Sequence, residues 1–123
     1  MSKNILIADG STTVAKIVSL ALRFKGYTVK AAYNGKEALL ALEKEKFDMA
    51  IIDLMMPVMD GCELFSRIKN NGRLKDIPVV ILTEANNEKM RTRALALGAS
   101  CFIVKPFQPK ELIDKVEELL DEL

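Results

Sequence analysis

The sequence predicts an α/β fold, a five-stranded parallel sheet doubly wound with helices on both faces. Short apolar runs alternate along the chain with stretches whose apolar residues recur at helical spacing, which is the signature of successive β-α units. The runs are nearly continuous rather than alternating apolar and polar, as expected of strands covered on both sides. With 123 residues, 50% of them hydrophobic, the chain has the size and the apolar content of one self-sufficient core. Residues 1–123 therefore read as a single domain, with no linker, repeat or low-complexity tract.

Lys3 to Ala8 is the first predicted strand, stopping at Asp9-Gly10. Val14, Ile17, Val18, Ala21 and Leu22 mark an amphipathic helix, with Ser11 or Thr12 as N-cap and Gly26 to end it. Tyr27 to Ala32 is the second strand, and Asn34-Gly35 leads into a helix carrying Ala38, Leu39 and Leu42. The third strand, Asp48 to Asp53, again closes on an aspartate, and Asp60-Gly61 opens a helix with Leu64, Phe65 and Ile68 inward. Pro78 to Thr83 is the fourth strand, followed by a helix from about Asn87 to Leu97 that Gly98 closes. Cys101 to Val104 is the fifth strand. Lys105-Pro106 cannot continue a central ladder, and Gln108-Pro109 opens a last helix whose Leu112, Ile113, Val116, Leu119 and Leu120 face inward.

Composition excludes several function classes. Eighteen basic against seventeen acidic residues leave a net charge of +1, which gives no electrostatic footprint for nucleic acid or an anionic membrane. The chain contains no histidine, so an imidazole base or a His-ligated zinc has to come from elsewhere. Cys62 and Cys101 stand far apart and read as reduced, structural thiols. No signal-peptide core or membrane-length apolar stretch is present, so a cytoplasmic location is expected.

In doubly wound sheets, ligands sit beyond the carboxyl ends of the strands. Four of the five predicted strands end there in a polar residue: Asp9, Asp53, Thr83 and Lys105. Singly, Asp9, Thr83 and Lys105 have ordinary readings as a cap, a strand residue and a loop residue. Asp53 differs, because a carboxylate closing the apolar run Met-Ala-Ile-Ile needs a cation or donors to offset its desolvation. Two carboxylates, a hydroxyl and an ammonium converging on one edge suit phosphoryl transfer to a carboxylate, with the lysine and a divalent metal neutralising the moving group. Magnesium fits such a site, since it takes oxygen ligands, retains waters and needs only one or two protein carboxylates.

The segments Ile5-Leu-Ile-Ala-Asp9, Ile51-Ile-Asp53-Leu-Met-Met-Pro57-Val-Met-Asp60-Gly61, Val79-Val-Ile-Leu-Thr83 and Phe102-Ile-Val-Lys105-Pro106-Phe107 resemble, in order and spacing, the motifs of the response-regulator receiver family. The resemblance spans the whole chain. It implies the flavodoxin-like strand order 2-1-3-4-5 and a phosphorelay role. Carried over by position, Asp53 is the phosphoacceptor, Asp9 one of the acidic pair that organises magnesium, and the Met55 backbone carbonyl a further metal contact. Thr83 is the switch hydroxyl and Phe102 the switch aromatic. Lys105 pairs with the phosphoryl group, and its bond to Pro106 is often cis in relatives. The implied donor is a phosphohistidine on a sensor histidine kinase or phosphotransfer protein. The implied output is a downstream protein target, or a homodimer, reached through the fourth helix, fifth strand and last helix.

One position departs from the family. Where two adjacent acids are usual, this chain has Asp9-Gly10, which predicts weakened magnesium binding and slower phosphorylation. Glu84, after the switch hydroxyl, is longer and more acidic than is common there and reads as a solvated side chain. The alternative reading is therefore a pseudo-receiver, an interaction module that has lost the switch. A flavin-binding redox protein on a similar fold is a third reading, opposed by the lack of a Ser/Thr-rich phosphate loop. DNA contact is not expected, because the last helix is followed by no second domain.

Overall fold

The computed structural model describes residues 2–121. Ten elements alternate without exception: β1 (Asn4–Ala8), α1 (Thr12–Phe24), β2 (Thr28–Ala32), α2 (Gly35–Lys44), β3 (Met49–Asp53), α3 (Gly61–Lys69), β4 (Val79–Glu84), α4 (Glu88–Ala96), β5 (Phe102–Lys105) and α5 (Pro109–Asp121). The strands pair in parallel in the order β2-β1-β3-β4-β5, as the family resemblance implied. β1 and β3 are adjacent, with Ile7 opposite Ile51 and Ala8 opposite Ile52. The order reverses beside this pair, so the carboxyl ends of β1 and β3 form the crevice.

The pleat sends alternate residues to two separate cores. Leu6, Ala8, Ala50, Ile52 and Ile81 pack with residues of α2, α3 and α4, including Leu42, Phe65 and Ala94. Ile5, Ile7, Met49, Ile51, Val80 and Leu82 pack with Val18 and Leu22 of α1 and Leu112 and Val116 of α5. Burial on both faces explains why β3 reads as a continuous apolar run.

The helix starts are fixed by side chains accepting from orphan N–H groups. Ser11 Oγ accepts from Val14 N at 3.2 Å, which makes Ser11 rather than Thr12 the cap. Asn34 Oδ1 accepts from Glu37 N at 2.8 Å, and Asp60 Oδ1 from Glu63 N at 2.8 Å. Gly26 and Gly98 follow α1 and α4 with φ of 97° and 104°, the left-handed geometry that ends helices. Both cysteines are free thiols, and burial raises the pKa of each, as suits structural rather than reactive sulfur.

Three expectations need correction. Ile17 does not face inward: it is 50% exposed, lying about 200° around the helix from the fully buried Ala15, and Ser19 is buried instead. β4 runs one residue beyond Thr83 to Glu84, and Glu84 pairs with Lys105, which is the last residue of β5 rather than part of a loop. The edge position of β5 explains this, since an edge strand tolerates a following proline that a central strand would not.

A Cβ added at Gly26 would meet nothing within 4 Å, so substitution there is opposed only by the backbone. Gly26→Ala is expected to lower the unfolding free energy by ~1 kcal/mol, read by urea denaturation, with no change in slope.

Candidate functional site

β1 and β3 each deliver a carboxylate to the crevice. Asp9 follows Ala8 and is fully buried; its N–H donates to the Ala32 carbonyl at 3.0 Å, and its Oδ1 accepts from Ser11 N at 2.8 Å. Asp53 ends β3 at 4% exposure, with Oδ1 accepting a long hydrogen bond of 3.4 Å from Met55 N. Lys105 reaches across from β5, and its Nζ lies 2.8 Å from Asp9 Oδ2 and 3.3 Å from Asp53 Oδ2. The ammonium therefore bridges both acids in one buried pocket. The Lys105-Pro106 bond is cis.

The other expected residues stand nearby in different roles. The Met55 side chain is exposed, but its carbonyl oxygen lies 3.5 Å from where a Cβ on Gly10 would be, so this oxygen borders the crevice. Thr83 is buried, and its hydroxyl donates to the Glu84 carbonyl at 3.3 Å rather than to Asp53. Phe102 is half-buried against the α2-α3-α4 core. Glu84 is exposed, in agreement with a solvated side chain. The β3-α3 loop is fastened by Gly35 N to the Met59 carbonyl at 3.0 Å and by Gly61 N to the Leu54 carbonyl at 2.9 Å. Within it Val58 has φ of 70°, an unfavourable conformation for a β-branched residue, at a cost of ~1–2 kcal/mol.

The sequence reading missed what lies beside Lys105. Val14, Ile17, Val18, Pro106, Phe107 and Pro109 line a mostly apolar cleft of about 500 Å³ that also touches Lys105 and Glu84. The two prolines flanking Phe107, which force an extended connection, are the available signal.

Two carboxylates against one ammonium leave an excess negative charge. Burial raises the Asp53 pKa and the Asp9 charge raises it further, against the opposing effects of Lys105 and the Met55 N–H, to about 6. For Lys105, burial disfavours the charged form, but hydrogen bonding to Asp9 and the charges of both acids outweigh it and hold its pKa above the ordinary lysine value.

The Response regulator receiver domain model matches residues 5–117. The chain belongs to the response-regulator receiver family. It is 38% identical over 120 residues to the response regulator GtcR of Aneurinibacillus migulanus, a match covering 98% of this chain and 48% of that protein. The chain thus spans about half the length of that relative. A putative response regulator from Chloroflexus aurantiacus superposes with a TM-score of 0.91 at 33% identity, covering 98% of this chain and 99% of the other. The chemotaxis response regulator CheY4 of Vibrio cholerae gives 0.89 at 32% identity, covering 97% and 99%.

The oxygen donors of this receiver suit a hard divalent ion. Among the described residues no group of three or more His, Cys, Asp or Glu side chains could hold a metal ion, and the oxygens that border the crevice are those of the Asp9 and Asp53 carboxylates and the Met55 carbonyl. That donor set, with its uncompensated charge, fits magnesium and not zinc.

The raised Asp53 pKa means the folded receiver holds this proton more tightly than the unfolded chain, whose ordinary value is 3.8. The stabilisation is complete below about pH 4 and is lost as pH rises through about 6. Asp53→Asn, which is neutral throughout, is expected to exceed the parent in stability by roughly 2 kcal/mol at about pH 7.5, the gap closing near pH 4. Urea titrations of both proteins in metal-free buffer at the two pH values read the difference.

Proposed function

We propose that this receiver accepts a phosphoryl group on Asp53 from a phosphohistidine of a sensor histidine kinase or phosphotransfer protein. The observation that carries the reading is the Lys105 ammonium 2.8 Å and 3.3 Å from the two buried carboxylates at the sheet's switch point. An Asp53 oxygen attacks phosphorus, the P–N bond to the partner's imidazole breaks, and that imidazole leaves with the bonding pair. The chain's lack of histidine agrees with this division of labour. Lys105 neutralises the phosphoryl oxygens, and Asp9 keeps the ammonium in place. Magnesium, held by Asp9, Asp53 and the Met55 carbonyl, supplies charge neutralisation when bound. The apolar cleft beside Lys105 is where the donor's body would dock.

A phosphoryl group adds about −1.5 to −2 charges at Asp53. The Thr83 hydroxyl now rests on a 3.3 Å bond to a neutral carbonyl, so an anionic oxygen offers it a stronger partner. A preference of about 1.4 kcal/mol shifts a two-state equilibrium tenfold. Phe102, which lies opposite Ile81, two residues before Thr83 on the adjacent strand, follows that movement. Through it the signal reaches α4, β5 and α5, and so a downstream protein or a second copy. α4 is suited to move, because Ala94 is its one fully buried residue. It is tied to α3 by an exposed Arg93–Asp60 ion pair at 3.6 Å and by the Cys62 thiol donating to the Met90 carbonyl at 3.5 Å. No helix among the described residues is long and apolar enough to cross a membrane. Residues 1–123 act as one receiver unit in this reading.

Gly10 favours the second reading, a pseudo-receiver, because it removes a carboxylate from the rim of the crevice. The space for one remains: a Cβ at Gly10 would lie 3.4 Å from Pro57 Cδ and 3.5 Å from the Met55 oxygen, ordinary contacts.

Incubation with acetyl phosphate and magnesium is expected to add one phosphoryl mass to the parent and none to Asp53→Asn; an unmodified parent overturns the switch reading. Gly10→Asp is expected to raise magnesium affinity and adduct formation about tenfold, from one added inner-sphere oxygen. A variant that labels beside a parent that does not establishes the pseudo-receiver.

A further inference from the structure

The loop between β3 and α3 carries the Met55 carbonyl and is pinned at both ends. Leu54 N donates to the Leu82 carbonyl at 3.1 Å, and Gly61 N donates to the Leu54 carbonyl at 2.9 Å. Gly61 has no room for a side chain, since a Cβ there would lie 2.7 Å from Leu54 Cα. Between those points, among the described residues, the loop makes one backbone hydrogen bond to another element. Gly35 N, at the start of α2, donates to the Met59 carbonyl at 3.0 Å.

The start of α2 is built to make that bond. As the first helical residue, Gly35 has an N–H without an intrahelical acceptor, and Met59 supplies one. Asn34 Oδ1 accepts from Glu37 N and Glu37 Oε1 accepts from Tyr33 N at 3.1 Å, so the turn that holds Gly35 is fixed from both sides. Gly35 is buried, and a Cβ there would collide with the Met59 carbonyl oxygen and lie 2.7 Å from Met59 Cβ. Glycine, a poor helix former, is the residue that permits this approach. The Met59 side chain packs on the α2-α3-α4 core. Met59 N also donates to the Pro57 carbonyl at 2.7 Å around Val58, whose φ of 70° makes this the rare, strained form of γ-turn. Val58 is 77% exposed, so its own side-chain packing does not hold that conformation. Such strain persists only where the surroundings impose it, and here the grip on Met59 does so.

We propose that Gly35 is a positioning residue of the phosphoryl site: it clamps Met59, and with it the turn at Val58, so that Pro57 and the Met55 carbonyl stay at the rim of the crevice. A Cβ at Gly10 would lie 3.4 Å from Pro57 Cδ and 3.5 Å from the Met55 oxygen, which places both against the residue that follows Asp9. The loop is short and Leu54 is held by the sheet, so a displacement at Met59 is passed on to the Met55 oxygen. This role rests on the reading in which Asp9, Asp53 and the Met55 carbonyl hold magnesium for phosphoryl transfer. It makes the start of α2, remote from those donors in sequence, part of what sets the metal affinity.

The test is a magnesium titration of the isotope-labelled, unphosphorylated protein, followed by amide chemical shifts, in the parent, Gly35→Ala, Met59→Ala and Gly26→Ala. Gly35→Ala is expected to weaken magnesium binding at least ~5-fold, because small misplacements of a site group are costly. Met59→Ala keeps the backbone bond but loses the packing behind it, and is expected to weaken binding at least ~2-fold. Gly26→Ala, strained where nothing lies within 4 Å of the added Cβ, is expected to bind magnesium as the parent does. Phosphorylation by acetyl phosphate at limiting magnesium is expected to slow in Gly35→Ala and to regain the parental rate at saturating magnesium, a split that general loss of stability would not give. Parental affinity in Gly35→Ala, or phosphorylation that stays slow at saturating magnesium, overturns the clamp; if Gly35→Ala does not fold, parental affinity in Met59→Ala overturns it. Absence of saturable magnesium shifts in the parent overturns it as well. A parent that binds magnesium yet takes up no phosphoryl mass, beside a weakened Gly35→Ala, defeats the phosphoacceptor reading and leaves the clamp standing, and the converse pattern defeats the clamp alone.

Discussion

The structure turns on one ammonium shared by two buried carboxylates. Asp9 and Asp53 end neighbouring parallel strands and cannot move apart, because each is fixed by a sheet register in which Ala8 faces Ile52. Their like charges would be destabilising at that spacing without a cation, and Lys105 Nζ, 2.8 Å and 3.3 Å from them, provides it. The compensation is incomplete by one charge, so the pocket keeps an excess of negative charge. A site already neutral would have no electrostatic reason to receive a divalent ion, and an uncompensated pair would oppose the fold.

The lysine reaches both acids because of where β5 sits. It is two strands removed from β3, at the edge of the sheet, and its last residue carries a long flexible stem that spans the carboxyl end of β4. Thr83 lies opposite Val104, the residue before Lys105, and its hydroxyl donates to the neighbouring Glu84 carbonyl. α4 is lightly anchored, with Ala94 its one fully buried residue, whereas α1 and α5 are bound to the sheet by broad apolar contacts.

α1 illustrates how one helix serves several surfaces. Its inward arc, centred on Ala15, Val18 and Leu22, supports the sheet. Val14 and Ile17 border the apolar cleft near Lys105, while Lys16 and Arg23 lie on the flank toward β2. Ile17, Leu20 and Phe24 are 50%, 67% and 92% exposed, so apolar residues on this helix do not mark the core by themselves. Reading Ile17 as a core residue fails for that reason: a helical stripe in sequence has two possible edges, and only the neighbouring strand selects between them.

Legible from the residues alone were the alternation of strands and helices, the burial of both sheet faces, and the placing of Asp9, Asp53, Thr83 and Lys105 at one edge of the sheet. These are consequences of local periodicity and of strand direction, which need no knowledge of neighbours. The strand order was legible only through resemblance, since periodicity does not say which strands lie side by side. Tertiary structure alone decided that Lys105 bridges both acids, that Thr83 rests on a backbone carbonyl, that Glu84 and Lys105 are register partners, and that Ser19 is buried. Each of those depends on distances between elements far apart in the chain, which packing sets and sequence spacing does not encode.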